Sequence, residues 1–150
     1  MAIRFMFTNS KLPLSPIIRA VTWSKYSHMT IIIDDETVLH SDFHGVRLEK
    51  IKALQERSKN WMIAEYKCER PQDLINACMT QIGKPYDYGA LIGILIRKIE
   101  LQDDSKWVCS EIPEFGAWAS GQPFFNTEYA HRITPQHWLM LPHKLIAKSN

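Results

Sequence analysis

The apolar positions fall in short blocks whose period changes along the chain. Residues 2–7 read as a short strand. Ser15-Pro16 looks like a cap followed by proline at the first helical position, and it opens a helix to about Trp23. Ser27 to Ile33 is rich in β-branched residues and predicts a strand. Asp34-Asp35-Glu36 is its turn, and residues 37–41 are the returning strand. A short strand near 46–48 leads into a helix from Glu49 to about Arg57. From Trp61 to Lys67 the chain sets Trp61, Ile63 and Glu65 against Met62, Ala64 and Tyr66, a strand with both faces partly apolar.

Arg70-Pro71 opens a further helix. Its apolar set, Leu74, Ile75, Cys78, Met79 and Ile82, keeps helical spacing, and Gly83 is the expected stop. Lys84 to Asp87 reads as a loop, Tyr88 to about Ile99 as a buried helix, and residues 101–106 as a polar connector. A helix follows over about 109–120. Thr134-Pro135 repeats the cap-plus-proline signal before His137-Trp138-Leu139. Hairpin strands come first and helices mainly later, so the fold class is α+β, an antiparallel sheet packed against helices.

The 150 residues suit one domain, 1–150, with no repeat or linker. A hydrophobic content of 45% excludes disorder. The run from Ala90 to Ile96, broken by Gly93, is too short to cross a bilayer. No secretory signal is visible. Three cysteines, Cys68, Cys78 and Cys109, lack framework spacing, which predicts reduced thiols and cytoplasmic synthesis. The net charge of +2 is too small to imply nucleic acid. The charge is uneven, however: residues 1–30 carry Arg4, Lys11, Arg19 and Lys25 and no acid. A peripheral membrane contact has the 90–96 run behind it, flanked by Arg97 and Lys98, although such a helix is more often core.

Chemistry centres on Cys109. Pro113, four residues on, is tolerated only in a first helical turn, so the helix begins at or just after Cys109. A thiol there gains from the helix dipole and free N–H groups, which favour the thiolate and an oxyanion. Cys68 and Cys78 read as structural. A nucleophilic cysteine needs a base and the base an orienting group. His28 opens a strand, and the 34–36 turn folds His40 back toward it. His131, His137 and His143 fall outside that constellation, and the five tryptophans read mainly as core and cleft walls. His40, Asp42 and His44 alternate, and on one strand they would make a two-histidine, one-carboxylate metal site. Asp42 and Gly45 are turn residues and weigh against it.

The strand-opening Ser27-His28, the Gly83-Lys84-Pro85-Tyr86-Asp87 loop and Trp107-Val108-Cys109-Ser110-Glu111 resemble the circularly permuted papain-like hydrolases. These form the YiiX-like branch of the NlpC-type cysteine peptidase superfamily, related to the lecithin:retinol acyltransferase group, in which histidine precedes cysteine. The resemblance spans roughly residues 20 to 140. It implies a permuted papain-like fold and a cysteine hydrolase of amidase or peptidase type, cell-wall peptides included. It makes Cys109 the nucleophile, His28 the base and His40 the orienting residue, with Glu36 a weaker candidate. Tyr86, Asp87 and Trp107 are the substrate-binding positions, and no cofactor is required. Substrates would be a peptide, an amide or an acyl lipid. The alternatives are a lipid acyl hydrolase or acyltransferase, an inactive binding module on the same scaffold, and the His/Asp metal site.

Overall fold

The computed structural model describes residues 1–11, 14–86, 108–125 and 133–150. The helix expected over 88–99, the 101–106 connector, Asp87, Trp107 and His131 lie outside these residues.

The described elements are β1 (Ala2–Ser10), α1 (Leu14–Thr22), β2 (His28–Ile32), β3 (Thr37–Asp42), β4 (Gly45–Lys50), α2 (Ile51–Glu56), β5 (Ser58–Lys67), α3 (Pro71–Met79), α4 (Ile112–Ala119), α5 (Pro135–Met140) and β6 (Lys144–Lys148). The strands form one sheet in the order β4-β3-β2-β1-β5-β6, every neighbouring pair antiparallel. The expected mixed α+β class with an antiparallel sheet is therefore observed.

β1 is the centre of the sheet and is buried on both faces, which is why it lacks a clean alternation. Ile3, Phe5 and Phe7 enter the larger core with Met29, Ile31, Leu39, Ala64 and Tyr66. Leu74 and Cys78 of α3, Ile112 and Ala117 of α4 and Trp138 of α5 close that core. Phe5, Tyr66, Phe124 and Trp138 pack there edge-on or tilted, with ring centroids 4.9 to 6.5 Å apart. On the opposite face Met6, Ile32 and Val38 are covered by Leu54 of α2. α3 and α4 approach closely at Gly116, where an added Cβ would overlap Cys78 Sγ and the Leu74 carbonyl.

Several boundaries differ from expectation. β1 runs on to Ser10 and β5 starts at Ser58, because the two pair along nearly their whole length. β6 was not expected. It is an edge strand with little buried surface, so its sequence carries no core pattern, and pairing with β5 defines it. The tryptophans do not all line core or cleft: Trp138 is fully buried, but Trp23 is 82% exposed and Trp118 59%. α4 begins at Ile112, three residues after Cys109, with Pro113 in its first turn.

Candidate active site

Cys109 lies in a tight turn rather than on the helix. Glu111 N–H donates to the Val108 carbonyl, and Val108 N–H donates to Glu111 Oε2 at 3.1 Å. Ser110 Oγ donates to the Ile133 carbonyl at 2.6 Å, and Trp138 Nε1 donates to the Ser110 carbonyl at 3.1 Å. The turn is thus tied to α5 through a fully buried indole. Glu111 thus holds the turn through its own carboxylate and N–H.

The sulfur meets the sheet where β2 and β3 part. Their ladder pairs Ile31 with Leu39 and Ile32 with Val38. Continued, that register sets Met29 opposite Ser41. There the backbone N–H of Met29 comes near Cys109 Sγ and, with those of Ser110 and Cys109 itself, acts to lower the thiol's pKa. A cavity of about 150 Å³ opens at this point, lined by His28, Ser41, Asp42, Arg57, Tyr86 and Cys109 among others.

His28 and His40 come together as the hairpin implied. His28 Nε2 lies 2.9 Å from His40 Nδ1, with the rings edge-on at 71°. His40 is 1% exposed, and its Nε2 sits 3.0 Å from Glu49 Oε2, out of line for a full hydrogen bond. We assign the tautomers from this row: His28 Nε2–H donates to His40 Nδ1, and His40 Nε2–H faces the Glu49 carboxylate. That leaves the lone pair of His28 Nδ1 as the free basic site.

Glu49 was not singled out in the sequence, where it read as the first residue of a helix. It lies instead on β4, opposite Val38, and so shares a face with Arg47, which stands opposite His40. Arg57 Nη2 donates to Glu49 Oε2 at 2.5 Å, and Arg47 Nη2 reaches the same oxygen at 3.3 Å. Arg47 also grips Asp42 with two hydrogen bonds, 3.2 and 2.6 Å. Two carboxylates and two guanidiniums thus form a quartet with no net charge. The Arg47 bond, the His44 N–H and the nearby cation hold the Asp42 carboxyl well below its usual range, although burial acts the other way.

Burial sets the histidines. It pushes His28 down to about 4; attraction by Asp42 opposes that, while Arg57 and Arg47 add to the lowering. Burial, then the neighbouring His28, pushes His40 lower still. Burial lifts the Cys109 thiol to about 11, outweighing the three N–H groups. The acidic thiolate expected at a helix start is therefore not found. Cys109 precedes the helix, and the low-dielectric surroundings dominate. Thiol and imidazole are both neutral at neutral pH. Cys78, likewise buried, is pushed up to about 12.

Tyr86 lines the same cavity and stacks edge-on against Phe43, ring centroids 5.5 Å apart. Its loop is tied to β4: Val46 N–H donates to the Lys84 carbonyl at 2.8 Å, and Gly83 N–H donates to the Val46 carbonyl at 2.9 Å. Gly45, at φ +88°, permits this approach, since a Cβ there would lie 2.5 Å from the Lys84 oxygen. Glu36 is exposed in its turn and pairs with Lys50 at 2.7 Å, remote from the histidines in role.

The alternating His40, Asp42, His44 metal set is not assembled. β3 ends at Asp42, and His44 sits in the turn with its N–H on Asp42 Oδ1 at 2.9 Å. The set that does converge is His40, Asp42 and Glu49, with ligand atoms within 4.8 Å of one another.

No family model matches the sequence, and no curated protein is significantly similar to it. Among solved structures the chain resembles that of the metalloprotein YiiX from Escherichia coli O157:H7, with a TM-score of 0.72 and 17% identity. The match covers 99% of this chain and 97% of that one. The chain therefore has a YiiX-like fold. Among the described residues, the set that converges does not fit a resident cation. Both carboxylates that would ligate it already hold guanidinium groups, and an ion would have to displace Arg47 and Arg57 from the quartet.

Proposed function

We propose that this YiiX-like fold is a permuted papain-like scaffold and that the chain is a cysteine hydrolase of amidase or peptidase type. Cys109 is the nucleophile, His28 the general base and His40 the residue that orients it. The observation that carries the reading is the shared cavity: Cys109 Sγ and His28 both line it, while His28 Nε2 is engaged by His40 and its Nδ1 is left for the thiol. The order of histidine before cysteine in the chain agrees with the resemblance.

In the acylation step His28 Nδ1 takes the Cys109 proton as the S–C bond forms on the substrate carbonyl. The proton then passes to the leaving amine or alkoxide as its bond to carbon breaks. Water, deprotonated by His28, hydrolyses the thioester and returns the free thiol. Backbone N–H groups near the sulfur, that of Cys109 among them, are the nearest donors for the oxyanion; one such donor is worth about 3 kcal/mol. Because thiol and imidazole start neutral, proton transfer and attack are coupled. Tyr86 forms a wall of the substrate pocket; Asp87 and Trp107 are proposed beside it from the sequence alone.

Trapping tests this directly. Activated acyl thioesters and peptide amides are mixed with the protein, quenched in acid and mapped by mass spectrometry. An acyl adduct on the Cys109 peptide, absent in Cys109→Ala and not formed in His28→Ala, is expected. Turnover that survives Cys109→Ala would sink the assignment. The raised thiol favours a second reading, an inactive binding module, and absence of any adduct across both substrate classes would select it.

A further inference from the structure

α1 has two unlike sides. Ser15 and Ile18 face the cavity that holds Cys109. Pro16, Ile17 and Ala20 face outward, with Ile17 50% exposed. The helix ends on Trp23, a bulky residue at φ 53° where glycine is usual, and Ser24 N–H closes the turn onto the Arg19 carbonyl at 3.1 Å. That left-handed residue carries the most exposed tryptophan side chain among the described residues, at 82%. The fold thus tolerates an unfavourable conformation while the indole makes little contact with the core. Strain of this kind points to a use outside the fold.

Along this stretch of chain the charge has one sign. Residues 1–33 contain no acid. Lys11 and Lys25 are exposed beside the two ends of α1, and Arg19 is on it with a buried Nε that has no hydrogen-bond partner. None of the three is in an ion pair among the described residues.

We propose that the outer face of α1, Ile17, Ala20 and Trp23 flanked by Lys11, Arg19 and Lys25, docks on an anionic lipid surface. An amphipathic helix with tryptophan at its edge and cations beside it fits the headgroup boundary. A nucleic acid is the poorer occupant, because the face carries a single aromatic side chain and few cations, without a basic stripe. The surface stands independently of the hydrolase reading.

The test is co-sedimentation of the full chain with phosphatidylcholine vesicles, with and without phosphatidylglycerol. Binding is expected only with the anionic lipid, and it weakens as salt rises. Lys11→Gln with Lys25→Gln should lower partitioning by roughly tenfold or more. Trp23→Gly should lower it by about tenfold while leaving the fold as stable or more so, since glycine suits that conformation. A tryptophan needed only for structure would show the opposite pattern. Cys109→Ala should bind as wild type does, which separates this surface from catalysis. Three results would each overturn the proposal: no binding to anionic vesicles, unchanged binding in both variants, or capture of an oligonucleotide by the same residues while vesicles are ignored.

Discussion

The neutral thiol of Cys109 has a measurable consequence in its alkylation rate. Burial lifts the thiol to about 11, against an ordinary cysteine near 8.5. At neutral pH the thiolate fraction is then on the order of 10⁻⁴, roughly 300-fold below that of a free cysteine. A more basic thiolate is also a better nucleophile. With a Brønsted slope of about 0.4, the 2.5-unit difference returns about tenfold. Labelling by iodoacetamide should therefore run about 30-fold slower at Cys109 than at a free thiol, before any steric hindrance. The rate should climb about tenfold per pH unit and show no plateau below pH ~10. A neutral imidazole does little to stabilise the thiolate, so His28→Ala should change the rate by less than about threefold while removing turnover by about 10²–10⁴. The assay is site-resolved labelling by mass spectrometry, read at Cys109, Cys68 and Cys78 in both proteins. Fast labelling of Cys109 in mild acid, lost in His28→Ala, would refute the reasoning. It would show a thiolate–imidazolium pair and mean that the arginine–carboxylate quartet does not balance as drawn.

His40→Ala should lower kcat by about 10- to 100-fold with little change in KM, because it frees the His28 tautomer without touching the cavity wall; equal losses in KM would argue for a binding role. Gly116→Ala forces a methyl group into Cys78 and the Leu74 carbonyl and should cost about 2 kcal/mol or more, read as a lower urea midpoint at constant slope. Unfolded His28 takes up a proton near 6.5 and folded His28 only near 4, so the unfolded state binds more protons in that window. Stability from His28 is full above it and falls by up to ~3 kcal/mol as pH drops through it. Buried Glu114, raised to about 6 by burial, acts the opposite way, so Glu114→Gln should steepen the acid loss in urea titrations, and a flat profile would count against both shifts. Chelators should leave turnover unchanged, and stoichiometric metal in the purified protein, lost with Glu49→Gln, would overturn the view that the arginines close that site.

Much of the fold was legible because its signals are local. Proline in the first turn marked α1, α3 and α5. The expected Ser15 cap is not formed, because α1 already starts at Leu14 and Ser15 Oγ bonds Ser27, and Arg70 gives α3 no side-chain cap; at α5 Thr134 N–H does donate to His137 Nδ1 at 3.0 Å. The hairpin turn of 34–36 was enough to pair β2 with β3 and so to bring His28 to His40. What the sequence hid was set by non-local partners. β6 exists through β5, and Trp138 is core because Ser110 and Tyr66 bond to it from distant segments. Glu49 was misplaced for a simple reason: β4 runs two residues past its apolar stretch, and a glutamate before an apolar repeat reads as a helix start. The alternation of Arg47 with Glu49 beside Asp42 was the available signal, a charged strand face that makes sense only against a buried partner. The pKa of Cys109 was misjudged because a helix terminus is visible in sequence and burial is not.

The parting of β2 and β3 links the fold to the chemistry. Where the ladder ends, the Met29 backbone lies beside the sulfur of Cys109, which comes from another part of the chain. The same parting exposes His28 to the cavity while His40, two residues before the end of its strand, stays buried. Base and orienting residue therefore differ in solvation although they are the same amino acid, and of the two only His28 lines the cavity. Glu49 could have charged that pair, since an unopposed carboxylate 3.0 Å from His40 would favour an imidazolium. Burial acts first against this, and Arg57 and Arg47 add to it while holding the carboxylate from its other side. The quartet thus fixes the ring without protonating it, which is what a general base that must remain free to accept a proton requires.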